Sequence, residues 1–170
     1  DAGAPGHIWR SYDTWPPASE TVALYLTQEG AMGMDQAAGD ETVHSYQHDP
    51  EDPVPTLGGR NLTLPSGPLD QAPLEVREDV LVYTGTLPGA VEIIGPVVAR
   101  LFLNSPPGVS QVVARLTDVH PDGRSLLIAS GVQRLEGAGL PVEVAVSLGP
   151  TAHYLAEGHQ LRLSLSGSSD

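Results

Sequence analysis

From residue 76 to the end of the chain, apolar and polar positions alternate in short runs separated by turn residues. In ARLFLN, Leu101 and Leu103 share one side, while Arg100, Phe102 and Asn104 share the other. In LRLSLSG, Leu161, Leu163 and Leu165 point one way, and Arg162, Ser164 and Ser166 the other. A period of two places successive side chains on opposite faces of a strand, so these runs predict strands with one buried face. The strands expected on this basis cover residues 79–85, 91–95, 96–105, 110–119, 125–136, 141–148 and 159–168. TVALYL at 21–26 adds one before them. The separators PDG (121–123), SPPG (105–108) and EGAG (136–139) carry turn chemistry, with glycine where a positive φ is needed. Seven or eight strands at this spacing predict two packed antiparallel sheets, an all-β sandwich and more specifically a jelly roll with little helix. The one helix candidate is TAHYLAEGH, residues 151–159.

The first half of the chain reads differently. Residues 1–20 are loop-like, since Pro16 and Pro17 disfavour helix on both sides. Residues 27–71 show no periodicity. An irregular stretch of that length is uncommon in a compact domain, and is usually functional or docked. No fixed-period repeat is present.

Composition narrows the functions open to such a module. The 170 residues suit one domain, and 40% of them are apolar, enough for a core. The formal net charge is −13, and all eight basic residues are arginine. A surface of this sign repels phosphate backbones and anionic membranes, which argues against nucleic-acid and membrane partners. Cysteine is absent, which removes disulfides, thiolate catalysis and cysteine-based zinc sites. No apolar run approaches the length of a membrane span. The chain opens without a basic-then-apolar leader and without Met, so it reads as an excised or processed segment, with the cytoplasm favoured.

Candidate chemistry is sparse. The nucleophile elbow G-x-S-x-G does not occur, and SGSSD near the end has no partner motif. The histidines His7, His44, His48, His120, His153 and His159 include no H-E-x-x-H pair, and they read as surface residues with no metal site. Asp40, Glu41, Asp49, Glu51 and Asp52 crowd the irregular stretch but lack the calcium-loop pattern, so they read as a solvated acidic loop. NLT at 61–63 matches a glycosylation acceptor and carries no functional weight. Trp9, Tyr12 and Trp15 could stack on a sugar ring or pack the N-terminal arm onto a neighbour.

Longer blocks carry a family signature. YQHDPEDPVPTLGG (46–59) is similar to a Y-x-x-D-P-x-D-P-V-P-T-x-G-G pattern, and GPLDQAPLEVREDVLVYTG (67–85) resembles its continuation. EIIGPVVARLFLNS, ARLTDVHPDGRSLLIASGVQR and PTAHYLAEGHQLRLSLSGSS follow in the same order. Together they resemble the C-terminal domain of X-prolyl dipeptidyl peptidases, cocaine esterase and α-amino-acid ester hydrolases, over residues 9–169. The resemblance implies a galactose-binding-domain-like jelly roll beside an α/β-hydrolase domain that holds the Ser-His-Asp triad. No catalytic residue is therefore assigned in this chain, and no cofactor.

On this reading residues 1–20 are the connector from the hydrolase domain, and 21–170 are the jelly roll with its long loop 27–71. The family pattern continues S-S-N-F-P-R and adds strands where this chain reads SLSGSSD. The C-terminus therefore reads as truncated, with a sheet edge left for another segment or chain to cover. The resemblance also places the segment 52–64 along the hydrolase domain near the substrate pocket. Pro53, Val54, Pro55, Leu57, Gly58, Gly59, Leu62 and Leu64 are then the expected docking and pocket-edge residues. The expected role is an accessory domain of a serine hydrolase that supports the catalytic domain and shapes the pocket mouth, with homo-oligomerisation as a further role. The alternative is a stand-alone carbohydrate-binding module using Trp9, Tyr12 and Trp15.

Overall fold

The computed structural model describes residues 8–36, 43–104, 109–136 and 141–167. The SPPG turn, all but the first residue of EGAG, and His7, Asp40 and Glu41 lie outside the described residues. The elements are β1 (Tyr25–Leu26), β2 (Met32–Gly33), α1 (Ala72–Glu75), β3 (Val80–Thr86), β4 (Val91–Leu103), β5 (Val109–Val119), β6 (Ser125–Glu136), β7 (Val142–Leu155) and β8 (Gln160–Ser166). The architecture is an all-β sandwich with one short helix. One layer is the antiparallel sheet β3-β8-β5-β6; the other is the antiparallel pair β4-β7; β1 and β2 form a small hairpin.

The core fills the space between the layers. Leu161, Leu163 and Leu165 of β8, with Val112, Ala114 and Leu116 of β5, face Leu101 of β4 and Val144, Val146, Leu148 and Leu155 of β7. These are the alternating positions that the pattern picks out. At Gly131 the layers nearly touch, because a Cβ there would lie 2.1 Å from the Ser147 carbonyl oxygen. Only glycine lets β6 and β7 approach so closely.

Three expectations are corrected. First, residues 151–159 are not helical: 151–155 finish β7, paired residue by residue with 91–95 of β4. A turn closed by the His159 amide on the Ala156 carbonyl (3.1 Å) then leads into β8. The ladder with β4 satisfies the backbone groups that a helix would otherwise have to pair internally. Second, 91–95 and 96–105 form one strand rather than two. Proline is tolerated at Pro96 because β4 is an edge strand, and a register shift follows at Val97/Val98. Third, the strand expected at 21–26 shortens to Tyr25–Leu26; residues 21–24 run alongside without a ladder partner.

The larger sheet is buried on both faces, not one. Ser164 and Ser166, expected to face solvent, are 2% and 0% exposed, and Arg115 and Thr117 of β5 are buried beside them. The cover is the long irregular stretch, which lays Val54 and Leu74 against Val80 as a second small core. The same stretch caps the sheet laterally. Gly30 accepts from the Thr84 amide on the outer side of β3 (2.9 Å). Beyond β6, the Leu127 amide donates to Leu69 (3.1 Å) and the Gln71 amide to Ser125 (2.7 Å).

Candidate docking surface

Residues 52–71 are built from the inside outward. Val54 is 1% exposed and roots the segment in the second core. Arg77 clamps its start, donating to the Asp52 carbonyl at 2.7 Å and reaching the Asp52 carboxylate at 3.1 Å. The same guanidinium donates to Asp79, and this contact holds the Asp79 carboxyl below its ordinary range. Farther along, Gly59 and Gly67 exchange amide–carbonyl bonds of 2.8 and 3.0 Å, which closes the loop between them. Gly58 has φ +70°, and a Cβ there would sit 2.4 Å from the Gly67 carbonyl oxygen, so the neck requires glycine. Gln71, fully buried, donates its amide to the Leu57 and Leu69 carbonyls at 2.9 and 3.0 Å.

Above this base the apolar residues face outward. Leu62 is 103% exposed and Leu64 47% exposed. Pro55 is exposed, and Pro53 and Leu57 are half-buried. Six of the eight residues marked in the sequence divide into a rooted base (Val54, Leu57, Gly58, Gly59) and an outward tip (Leu62, Leu64), with Pro53 and Pro55 flanking Val54. Apolar side chains held out on a tied loop have no folding role here, and they are the part of this segment available to a neighbour.

A buried polar network fastens α1 to the sheet. The Glu75 carboxylate accepts from Arg162 Nη1 at 2.5 Å and from Ser125 Oγ at 2.6 Å. Ser125 Oγ in turn accepts from the Thr117 hydroxyl at 2.8 Å, and Arg162 Nε donates to Thr84 Oγ1 at 2.8 Å. Beside it, Arg115 donates to Ser166 Oγ at 2.8 Å, and burial lowers the Arg115 pKa to about 10. The buried serines thus serve as hydrogen-bonding residues of strands.

On the opposite side the layers stand apart along β4. A groove of about 2960 Å³ opens there, lined by Leu24, Leu26, Leu81, Ile93, Leu101 and Leu163 among others. The N-terminal arm runs past it. Arg10 pairs with Glu92 at 2.7 Å, and Pro16 lies against Gly95. Trp9 is fully exposed, and Tyr12 and Trp15 are 42% and 54% exposed. Among the described residues no ring contact joins these three aromatics.

At one end of the sandwich, Asp118 gathers three histidines. It faces Leu161 across the β5–β8 ladder, on the inter-sheet side. Its carboxylate accepts from His159 Nδ1 at 2.7 Å and from His153 Nε2 at 2.9 Å, and His120 Nε2 lies 3.8 Å away. The rings of His120 and His159 are 4.2 Å apart. Burial holds the His120 imidazolium below its ordinary pKa despite the nearby carboxylate.

A family model described as the X-Pro dipeptidyl-peptidase C-terminal non-catalytic domain matches residues 1–170. The chain belongs to this family. Cocaine esterase of Rhodococcus sp. (strain MB1 Bresler) is 34% identical to 95% of the chain, but the match spans only 32% of that protein. Among solved structures, an aminopeptidase from the marine sediment archaeon Thaumarchaeota archaeon superposes with a TM-score of 0.83. It has 24% identity and covers 98% of this chain and 32% of its own. An α-amino acid ester hydrolase superposes at a TM-score of 0.75, with 22% identity over 86% of this chain and 28% of its own. This X-Pro dipeptidyl-peptidase C-terminal domain thus spans about a third of the length of the relatives it matches.

Within the domain, the expectation that all the histidines lie on the surface is corrected. His120, His153 and His159 have side chains only 22%, 29% and 17% exposed around Asp118, and His44 stacks on Tyr83 while bonding its hydroxyl at 2.7 Å. Sequence spacing had no means of finding the Asp118 group. Its members come from the end of β5, the turn after it, the end of β7 and the residue before β8.

Proposed function

We propose that this domain is the accessory β-module of a serine hydrolase, packed against the α/β-hydrolase domain of its own parent polypeptide and bordering the mouth of the substrate pocket. The observation that carries the reading is Leu62: fully exposed at the tip of a loop whose base is clamped by Val54, Gln71 and the Gly59–Gly67 pair. Tying a loop so firmly in order to present a leucine to water has no folding benefit, whereas a pocket edge requires that combination of rigidity and apolar exposure. The apolar groove along β4 and the exposed Trp9 support it as further surface for the rest of a polypeptide of which this chain spans about a third. The parent's reaction is then acyl transfer to water through an acyl-serine, with nucleophile, base and oxyanion donors supplied by the hydrolase domain. The module contributes position and shape.

The test is Leu62→Ala and Leu62→Trp in the parent enzyme, with kcat/KM measured over esters and X-Pro amides of graded acyl size. The reading expects the substrate ranking to change between the two variants while thermal stability holds. An identical ranking in both would overturn the pocket-edge role.

A further inference from the structure

The Asp118 cluster is a concentration of ligating side chains that the proposed function does not use. A carboxylate with only 5% of its side chain exposed is costly to bury unless hydrogen-bond donors or a cation compensate it. Neutral imidazoles donate hydrogen bonds but no charge. A divalent metal ion would supply positive charge to Asp118 and take imidazole nitrogens as ligands.

The geometry fits. One ligand atom each from Asp118, His120 and His159 lies within 4.8 Å of the other two. All three sit at strand ends or in a tight turn, where the ladder β5-β8 and the 119–125 hairpin fix their backbones. His153 reaches across from β7 to hold the second carboxylate oxygen at 2.9 Å, the outer-shell contact that orients a ligating group. Two imidazole nitrogens with one carboxylate are a donor set for zinc, cobalt, nickel or copper rather than calcium or magnesium. The partial exposure of His120 and His159 leaves a path for entry. Arg124 stands against this arrangement electrostatically: its Nη2 lies 3.5 Å from His120 Nδ1, and Asp122 Oδ2 holds its Nε at 2.8 Å.

We propose that Asp118, His120 and His159 form a binding site for a first-row transition-metal dication, with His153 as the positioning residue for the carboxylate. Where the metal takes His159 Nδ1, the proton there goes to solvent and Nε2 takes one up, so the neutral ring changes tautomer without net proton loss.

The experiment is calorimetric titration of the chelator-treated full chain with ZnCl2 in a non-coordinating buffer. Cobalt absorption spectra serve as an independent signature of imidazole and carboxylate ligation. A single equivalent should bind with micromolar or tighter affinity. His120→Ala and His159→Asn should each weaken binding about tenfold or more. His159→Asn retains an N–H donor for Asp118, and circular dichroism checks that both variants remain folded. Arg124→Ala should tighten binding by removing the adjacent charge, while His48→Ala, remote in sequence, should leave it unchanged. No saturable binding, or affinity surviving either ligand substitution, overturns the site. An Arg124→Ala affinity no tighter than the parent's, or one lost in His48→Ala, counts against it equally.

Discussion

Val54→Ala and Leu62→Ala separate the two halves of the irregular stretch. Val54 is 1% exposed between Leu74 and Val80. Removing its two methyl groups forfeits about 1.6 kcal/mol of transfer free energy, at ~0.8 kcal/mol per buried carbon. The space left behind adds on the order of 1 kcal/mol, because the surrounding strand and helix relax only in part. The expected loss is therefore about 2.5 kcal/mol, or ~5–10 °C in Tm for a chain of this size. Leu62 is fully exposed, so the same truncation there should stay within ~0.5 kcal/mol of the parent. Urea denaturation and thermal unfolding followed by circular dichroism measure both. If Val54→Ala also falls within ~0.5 kcal/mol, or if Leu62→Ala costs as much as Val54→Ala, the division into rooted base and free tip is wrong.

Three further outcomes follow from the same contacts. Glu75→Ala strands Arg162 (side chain 23% exposed) with only Thr84 for company, and should cost about 3 kcal/mol in urea unfolding; Glu75→Gln, which still accepts from Ser125, should cost less. Gly131→Ala drives a methyl into the Ser147 carbonyl and should destabilise by about 1–3 kcal/mol, with a broadened thermal transition as the layers part. Asp79 has its folded pKa depressed by Arg77, with Asp52 and His48 nearby. The pair therefore stabilises the fold above about pH 4 and is lost as pH falls through the lowered value. Asp79→Asn should flatten the stability profile in that acid range, and a variant whose profile still falls as steeply as the parent's would contradict the assignment.

The strand framework was legible because alternation survives at the inner positions: Leu161, Leu163 and Leu165 are buried as their spacing requires. The second face was not legible. Ser164, Ser166 and Thr117 look solvated in any pattern of hydrophobicity, yet they are buried, because hydrogen bonds as well as the small Val54–Leu74–Val80 core cover that side. The helix expected at 151–159 failed because pairing with 91–95, far away in sequence, outweighs local preference. The loop 52–64 was found by resemblance, but which of its residues turn inward depends on the Gly59–Gly67 closure, a contact no motif encodes. The Asp118 group was invisible for the same reason: three backbone ladders assemble it.

The capped flanks of the larger sheet govern how copies of this module can meet. Gly30 engages β3 at Thr84 and residues 69–71 engage β6 at 125–127, so at these positions a second molecule finds no free template on which to extend the ladder. Strand exchange is disfavoured at those capped positions, and the uncapped length of β6 and the margins of β4 and β7 are where an introduced proline or lysine should guard the module when it is made at high concentration.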